Sequence, residues 1–321
     1  MFRAVSVGLG SRLKRIPDGE TGARSNWIAW QLAVFENMPQ LESEVVNIGY
    51  LRRAKFRLRK GVATAEFREL GYSRAALDSY SIYRQLKDRG EIAPHLRFQI
   101  CLPTPLAPVH AYVFPESMAA LLGPYELRMR AELDEILARI PHAELAIQWD
   151  TAIEFAVLEG VMPTVFRDPA EDILCRLVEY GRWVPPDVEL GYHLCYGDAG
   201  HKHFKEPADA AWLARVANHL AARLERGLDF LHLPVPRERF DDAYYRPLAG
   251  LALQPQTELY LGLVHMRDGV EGTERRIAAA QRHVARFGVA TECGFGRRSA
   301  ETVKPLMDIH TAVSQPHEEG P

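Results

Sequence analysis

The sequence has no apolar run of about 18 residues, the least that reads as a membrane-spanning helix. Its opening, MFRAVSVGLGSRLKR, lacks the apolar centre of a secretory signal. A cytoplasmic protein with no membrane partner is therefore expected. Cysteine is scarce: Cys101, Cys175, Cys195 and Cys293 are the only four in 321 residues. That excludes a disulfide scaffold and suits a reducing compartment, where cysteines signal metal binding or catalysis more than cross-links. No G-x-G-x-x-G opens a helix after a strand-like run, which argues against a dinucleotide-binding fold. Internal repeats and low-complexity tracts are absent, so residues 1–313 read as one domain and SQPHEEGP (314–321) as a disordered tail. A net charge of −3 gives no general affinity for polyanions. The basic run LRRAKFRLRK comes with no nucleic-acid motif and reads as a solvated face or hairpin, so no nucleic-acid partner is expected.

What is present is the composition of a globular enzyme, 47% hydrophobic and 25% charged. Short strand-like runs recur at Leu13–Ile16, Val45–Tyr50, Arg97–Cys101, Glu144–Gln148, Val188–Leu194, Phe230–Leu233, Glu258–Val264 and Val289–Glu292. Helical patterns lie between them. Glu116 to Ile140 reads as a helix pair, the stretch from Pro207 to Gly227 as one helix, and GTERRIAAAQRHVARFG as another that stops at Gly288. Strand–helix alternation implies parallel strands joined by crossovers. About eight such units, most ending in polar residues, predict an α/β fold of the (β/α)8 barrel type. The strand ends would then meet at one mouth.

Several strand ends carry chemistry. His193 and Cys195 are two apart on a strand and so face the same way. Cys293 ends the last strand. One nitrogen and two sulfurs suit a zinc ion with an open fourth position, although buried core cysteines fit the spacing equally. Asp18 and Glu20 lie in the tight loop IPDGETGARSNW, and Asp150 ends the strand AIQWD. These acids can anchor an ammonium group. A turn acid and a helix-capping aspartate are the plainer readings. His265 ends the strand LVH with Asp268 close by, a pair placed for acid–base work. Arg297 follows Cys293 and can meet an anion. His201 and His203 fall on a loop, and Cys101 and Cys175 read as core residues.

In order along most of the chain, PDGETGARSNW, IQWD, HLCYGD, LDFLHLPVP, LGLVH with its following DG, and ECGFGRR resemble the catalytic barrel of cobalamin-independent methionine synthase. The shorter single-barrel relatives, in a superfamily that includes uroporphyrinogen decarboxylase-like barrels, are the nearer match. The resemblance implies zinc held by His193, Cys195 and Cys293, methyl or alkyl transfer to a thiol, and Glu20 and Asp150 as amino-group anchors. From their placement at the strand ends, Asp18 and Arg297 are expected as further substrate-binding residues, and His265 and Asp268 as catalytic ones. The expected partners are a small-molecule thiol acceptor and a methyl donor, a folate being one candidate. Two departures stand out. No glutamate stands near Pro234, where the family places a fourth zinc ligand, so His232 or water is left for that position. His265 replaces an expected aspartate. The opening residues match the helix after the first barrel strand, so that strand is expected to be missing at the N-terminus. Two rival readings remain: a metal-free lyase or decarboxylase using His265, Asp18 and Arg297, and a degenerate ligand-binding barrel.

Overall fold

The computed structural model describes residues 1–48 and 51–316. The chain opens with helix α1 (Phe2–Leu9), which turns Phe2, Val5 and Leu9 inward at helical spacing. Strand β1 (Arg15–Pro17) follows, then α2 (Leu32–Glu36), β2 (Leu41–Ile48) and β3 (Leu51–Leu58). From there strands and helices alternate. α3 (Tyr72–Asp88) precedes β4 (Arg97–Pro103), and α4 (Leu106–Tyr112) and α5 (Pro115–Arg139) precede β5 (Leu145–Thr151). α6 (Ile153–Leu158) and α7 (Pro169–Arg182) lead to β6 (Glu189–Leu194), and α8 (Ala211–Arg223) to β7 (Phe230–Pro234). α9 (Asp242–Tyr245), β8 (Glu258–Val264), α10 (Gly269–Gln281), β9 (Gly288–Thr291) and α11 (Ala300–Val313) complete the order. No helix among the described residues is long and apolar enough to cross a membrane.

Seven strands form one parallel sheet in the order β1-β4-β5-β6-β7-β8-β9. The sheet is curled and flanked by helices, a half-barrel of the TIM-like kind with β1 and β9 as its two edges among the described residues. The expected eighth barrel strand at Val45–Tyr50 is a correction. Leu41–Ile48 instead pairs antiparallel with Leu51–Leu58 in a separate two-stranded sheet, and Gly49 and Tyr50 lie outside the described residues. The reason is chain length. A parallel partner needs a crossover of about a dozen residues, whereas these strands follow each other almost directly. Residues 317–321 of the expected tail also lie outside the described residues.

Alternation along the strands sorts the wall into two faces. Outward-facing Phe98, Ile100, Leu102, Ile147, Trp149, Leu190, Tyr192, Leu231 and Leu261 are buried under the helices and form the main core. The inward face is polar at its base. Arg15 on β1 bonds Glu189 on β6 and reaches Glu258 on β8 at 2.9 Å. Its guanidinium also lies 4.2 Å over the Phe230 ring on β7. These contacts from β1 to β6, β7 and β8 require the sheet to curl. Across the two edge strands, α1 packs on α11, where the Met307 sulfur would sit 3.3 Å from a side chain added at Gly8.

Three local expectations differ from the structure. Glu116–Ile140 is not a helix pair but one 25-residue helix with Pro124 inside. Proline leaves the carbonyl four residues earlier without its donor, and here the Thr64 hydroxyl donates to that Ala120 carbonyl at 3.4 Å. Gly288 does not stop a helix, because α10 ends at Gln281 and Gly288 opens β9. Cys175 is exposed on the outer face of α7 rather than in the core.

Candidate metal centre

Strands β5, β6 and β7 reach the mouth in step. Asp150 lies opposite His193, and His193 opposite His232, so the three side chains share the inward face at one height. Asp150 is therefore not a helix cap; Ala152 holds that position before α6. Cys195 lies just past β6, tied back by its N–H to the Thr151 carbonyl at 3.1 Å. Cys293 follows β9, and its carbonyl accepts the Thr291 hydroxyl at 2.6 Å.

The ligand atoms of His193, Cys195 and Cys293 all lie within 4.8 Å of one another. Both ring nitrogens of His193 are buried without a hydrogen-bond partner. A buried imidazole so placed is under-satisfied as the chain stands. The donor set also has the N/S character that suits zinc. The residues thus fit a zinc ion. Around them, the Gly197 N–H donates to Cys195 Sγ at 3.2 Å and Arg297 Nη2 to Cys293 Sγ at 3.7 Å. The Cys195 thiol, with His193 and Arg297 beside it, holds the Cys293 thiol well below the usual range. Hydrogen bonding to Cys293, together with burial, pushes the Cys195 thiol up.

No carboxylate stands at Pro234, as the sequence indicated. His232 stacks on His193 with ring centroids 4.4 Å apart and donates from Nε2 to the Thr291 carbonyl at 2.9 Å. Burial, with His193 adjacent, lowers its pKa to about 3, so it is a neutral buttress.

Glu292 is the residue that sequence reasoning missed. Its carboxylate lies 3.0 Å from His203 Nε2 and 3.3 Å from His265 Nδ1, next in sequence to the candidate ligand Cys293. The expected loop position of His203 is half right: the loop is there, but the side chain is buried. Burial pushes the His203 imidazole down, yet Glu292 outweighs it and raises the pKa to about 8. His265 donates from Nε2 to the Val235 carbonyl at 2.9 Å, and burial lowers its pKa. His201 remains exposed, 3.6 Å from Asp198. Cys101 lies deeper, with Gln99 and Gln148 amides each 3.4 Å from its sulfur.

The acids gather on the other side of the mouth. Asp18 is buried and accepts from Arg24 Nη1 at 2.8 Å and from the Glu20 N–H at 3.0 Å. Burial, then Asp150 and Asp18, raise the Glu20 pKa well above the ordinary value. Asp150 accepts from the Gln148 amide at 2.8 Å, and burial lifts its pKa to about 6 against the pull of His193. Asp268 is engaged elsewhere, bonded through both oxygens to the fully buried Arg276 at 2.6 and 2.9 Å. Burial pushes the Asp268 carboxyl up, but Arg276 holds it below its ordinary value.

No family model and no curated protein sequence matches the chain. Solved structures do resemble it, two of them as follows. One is a proposed vitamin-B12-independent methionine synthase of Listeria monocytogenes, with 16% identity, 97% of this chain and 83% of that one covered, and a TM-score of 0.56. The other is a methyltransferase of Methanosarcina mazei, with 12% identity, 97% and 84% coverage, and a TM-score of 0.55. The chain shares their fold. The likeness spans 97% of this chain in both cases.

Proposed function

We propose that this protein is a zinc-dependent enzyme that transfers a methyl or alkyl group to the sulfur of a small thiol. The observation that carries the reading is the pair of cysteine sulfurs beside a buried imidazole with neither nitrogen partnered. His193, Cys195 and Cys293 would hold the ion. When bound, zinc supplies a Lewis acid that keeps a substrate thiol deprotonated near neutral pH. The fold shared with a methyltransferase and a methionine synthase supports the same reaction class.

The chain's own residues bind and orient. Glu20 and Asp150 face the centre, burial and then Asp150 raising the Glu20 pKa, with Arg24 held by Asp18 while His193 and Arg297 act on Asp150, so an ammonium on the acceptor would relieve the mutual repulsion of the two acids. That favours an amino thiol as acceptor. In the reaction the thiol loses its proton, its sulfur forms the new S–C bond, and the old bond's electron pair stays with the donor, which then takes up a proton. His265, held by Val235 and Glu292, is the proposed group for moving that proton at the mouth. Asp268 serves to fix Arg276 and the start of α10 rather than to react.

Metal analysis of protein purified under reducing conditions tests the reading. About one zinc per chain is expected, with almost none retained by Cys293→Ala. In cobalt-substituted protein an added amino thiol should shift the visible spectrum, and Asp150→Asn should weaken that response about tenfold. A zinc content near zero, unchanged by the Cys293 substitution, overturns it.

A further inference from the structure

Asp150 on β5 does not stand alone on the inward face. Gln148 lies two residues below it on the same strand, and Cys101 on β4 is opposite Gln148 in register. Gln99, two residues before Cys101, points the same way. These three side chains are half-buried inside the curl rather than packed in the helix-covered core. Their hydrogen bonds run in one direction. Gln99 Nε2 donates to Gln148 Oε1 at 3.1 Å, and Gln148 Nε2 donates to Asp150 Oδ1 at 2.8 Å. Each amide nitrogen also donates to Cys101 Sγ at 3.4 Å.

An amide nitrogen carries two N–H donors, and these contacts use both donors of both glutamines. The orientation of the chain is thereby fixed. Turned over, the Gln148 amide would set its oxygen against the Asp150 carboxylate and its nitrogen against the Gln99 nitrogen. Two bonds would become two repulsive contacts. Among the described residues no other group donates to the Asp150 carboxylate, which leaves Oδ2 for a ligand. Nor does either glutamine hydrogen-bond His193, Cys195 or Cys293 among those residues. Apolar side chains of the same shape would fill this space at little cost, so packing alone does not account for an ordered polar chain that ends on Asp150.

We infer that Gln148 and Gln99 are positioning residues for the acceptor. Gln148 holds the Asp150 carboxylate so that Oδ2 meets the acceptor's ammonium, and Gln99 fixes which end of the Gln148 amide faces Asp150. This rests on the proposed role of Asp150 as ammonium anchor. Preference for an amino thiol is then set from beneath the site, by side chains that touch neither the acceptor nor the metal ligands. The donor sense of the chain has a specific consequence. In Gln99→Glu a carboxylate replaces the donor, accepts from the Gln148 amide and turns its oxygen toward Asp150. That isosteric change should harm recognition more than Gln99→Leu, which only leaves the Gln148 oxygen without a donor.

Calorimetric titration of the full chain, as purified, with cysteamine and with 2-mercaptoethanol tests it, because these thiols differ as ammonium against hydroxyl. The parent should prefer cysteamine, and Asp150→Asn should lose that preference. Gln148→Leu and Gln99→Glu should each cut the preference about tenfold and Gln99→Leu about threefold, with 2-mercaptoethanol binding and zinc content unchanged. Gln99→Glu preserves size, so it carries the test should Gln148→Leu not fold. If binding of both thiols weakens in parallel, the glutamines only support the fold and the proposal fails. It also fails, with the anchor intact, if Asp150→Asn loses the preference while the glutamine variants keep it. A parent that shows no preference overturns the anchor itself, and the role of the glutamines with it.

Discussion

Glu292 bridges two imidazoles while its backbone carries directly into Cys293, which couples the position of that ligand to both histidines. Removing such a supporting partner typically lowers metal affinity by about 10–100-fold. Glu292→Ala should do the same here, read by competition with a chromogenic chelator, and an unchanged zinc affinity would count against the coupling. Glu154 tests burial at another residue. It is 2% exposed, accepts from the Thr104 hydroxyl, and has one oxygen without a partner. Burial raises its pKa from 4.5 to about 7. The folded state therefore keeps a proton that the unfolded chain has released. Stability falls as pH rises from about 4.5 to 7, with a full cost of about 3 kcal/mol above that window. Glu154→Gln should raise the melting temperature at pH 8, and the gain should disappear by pH 5. A gain independent of pH would refute the assignment. The cluster of His193, Cys195 and Cys293 was legible in the sequence because histidine and cysteine are chemically distinctive and the first two face one way on a strand. Glu292 was not, because its meaning depends on His203 and His265, which only the folded topology brings to it.

Elements were legible where one pattern governed them. β4 to β8 follow their apolar alternation closely, and their ends carry the acids and ligands to one mouth. Ends and breaks were less legible. Gly-Pro at 123–124 looks like a helix break, yet α5 continues because Thr64 satisfies the freed carbonyl from another part of the chain. Val45–Tyr50 reads as a barrel strand because apolar content does not reveal a strand's partner, whereas the basic run after it, read as a solvated face or hairpin, does form the hairpin strand β3. Gly191 on β6 gives the element-scale prediction. A Cβ there would lie 2.2 Å from the Phe230 ring on β7, and Arg15 caps that ring from the other strand wall. The ring cannot retreat without disturbing the base of the curl. Gly191→Ala should cost about 1–3 kcal/mol by overpacking, seen as a lower urea midpoint. A neutral result would mean that the β6–β7 contact is loose.

At the scale of the whole molecule, the question is what holds a seven-stranded sheet in its curled form when β1 and β9 are edges among the described residues. Two features answer it. Outside, α1 and α11 pack on each other and Arg12 donates to the Ser314 carbonyl at 3.4 Å, so the two ends of the described chain meet. Inside, Arg15 binds Glu189 and Glu258 across the base, with Arg97 and Lys14 as additional partners of those acids. Burial works against the Arg15 charge, but Glu189 first, then Tyr260 and Glu258, hold its pKa above the ordinary value. Arg15→Met keeps a long side chain over Phe230 while leaving two acids facing the same interior. Breaking a buried pair by removing one partner costs about 3–5 kcal/mol. Because Arg97 and Lys14 remain, the lower end of that range is expected here. The loss should appear as a lower urea midpoint with the slope preserved. It should be accompanied by weaker zinc retention, since β6 carries both Glu189 at its base and His193 near its mouth. If stability drops but zinc affinity does not, the base holds the fold together without setting the metal centre. If neither changes, the helices alone maintain the curl.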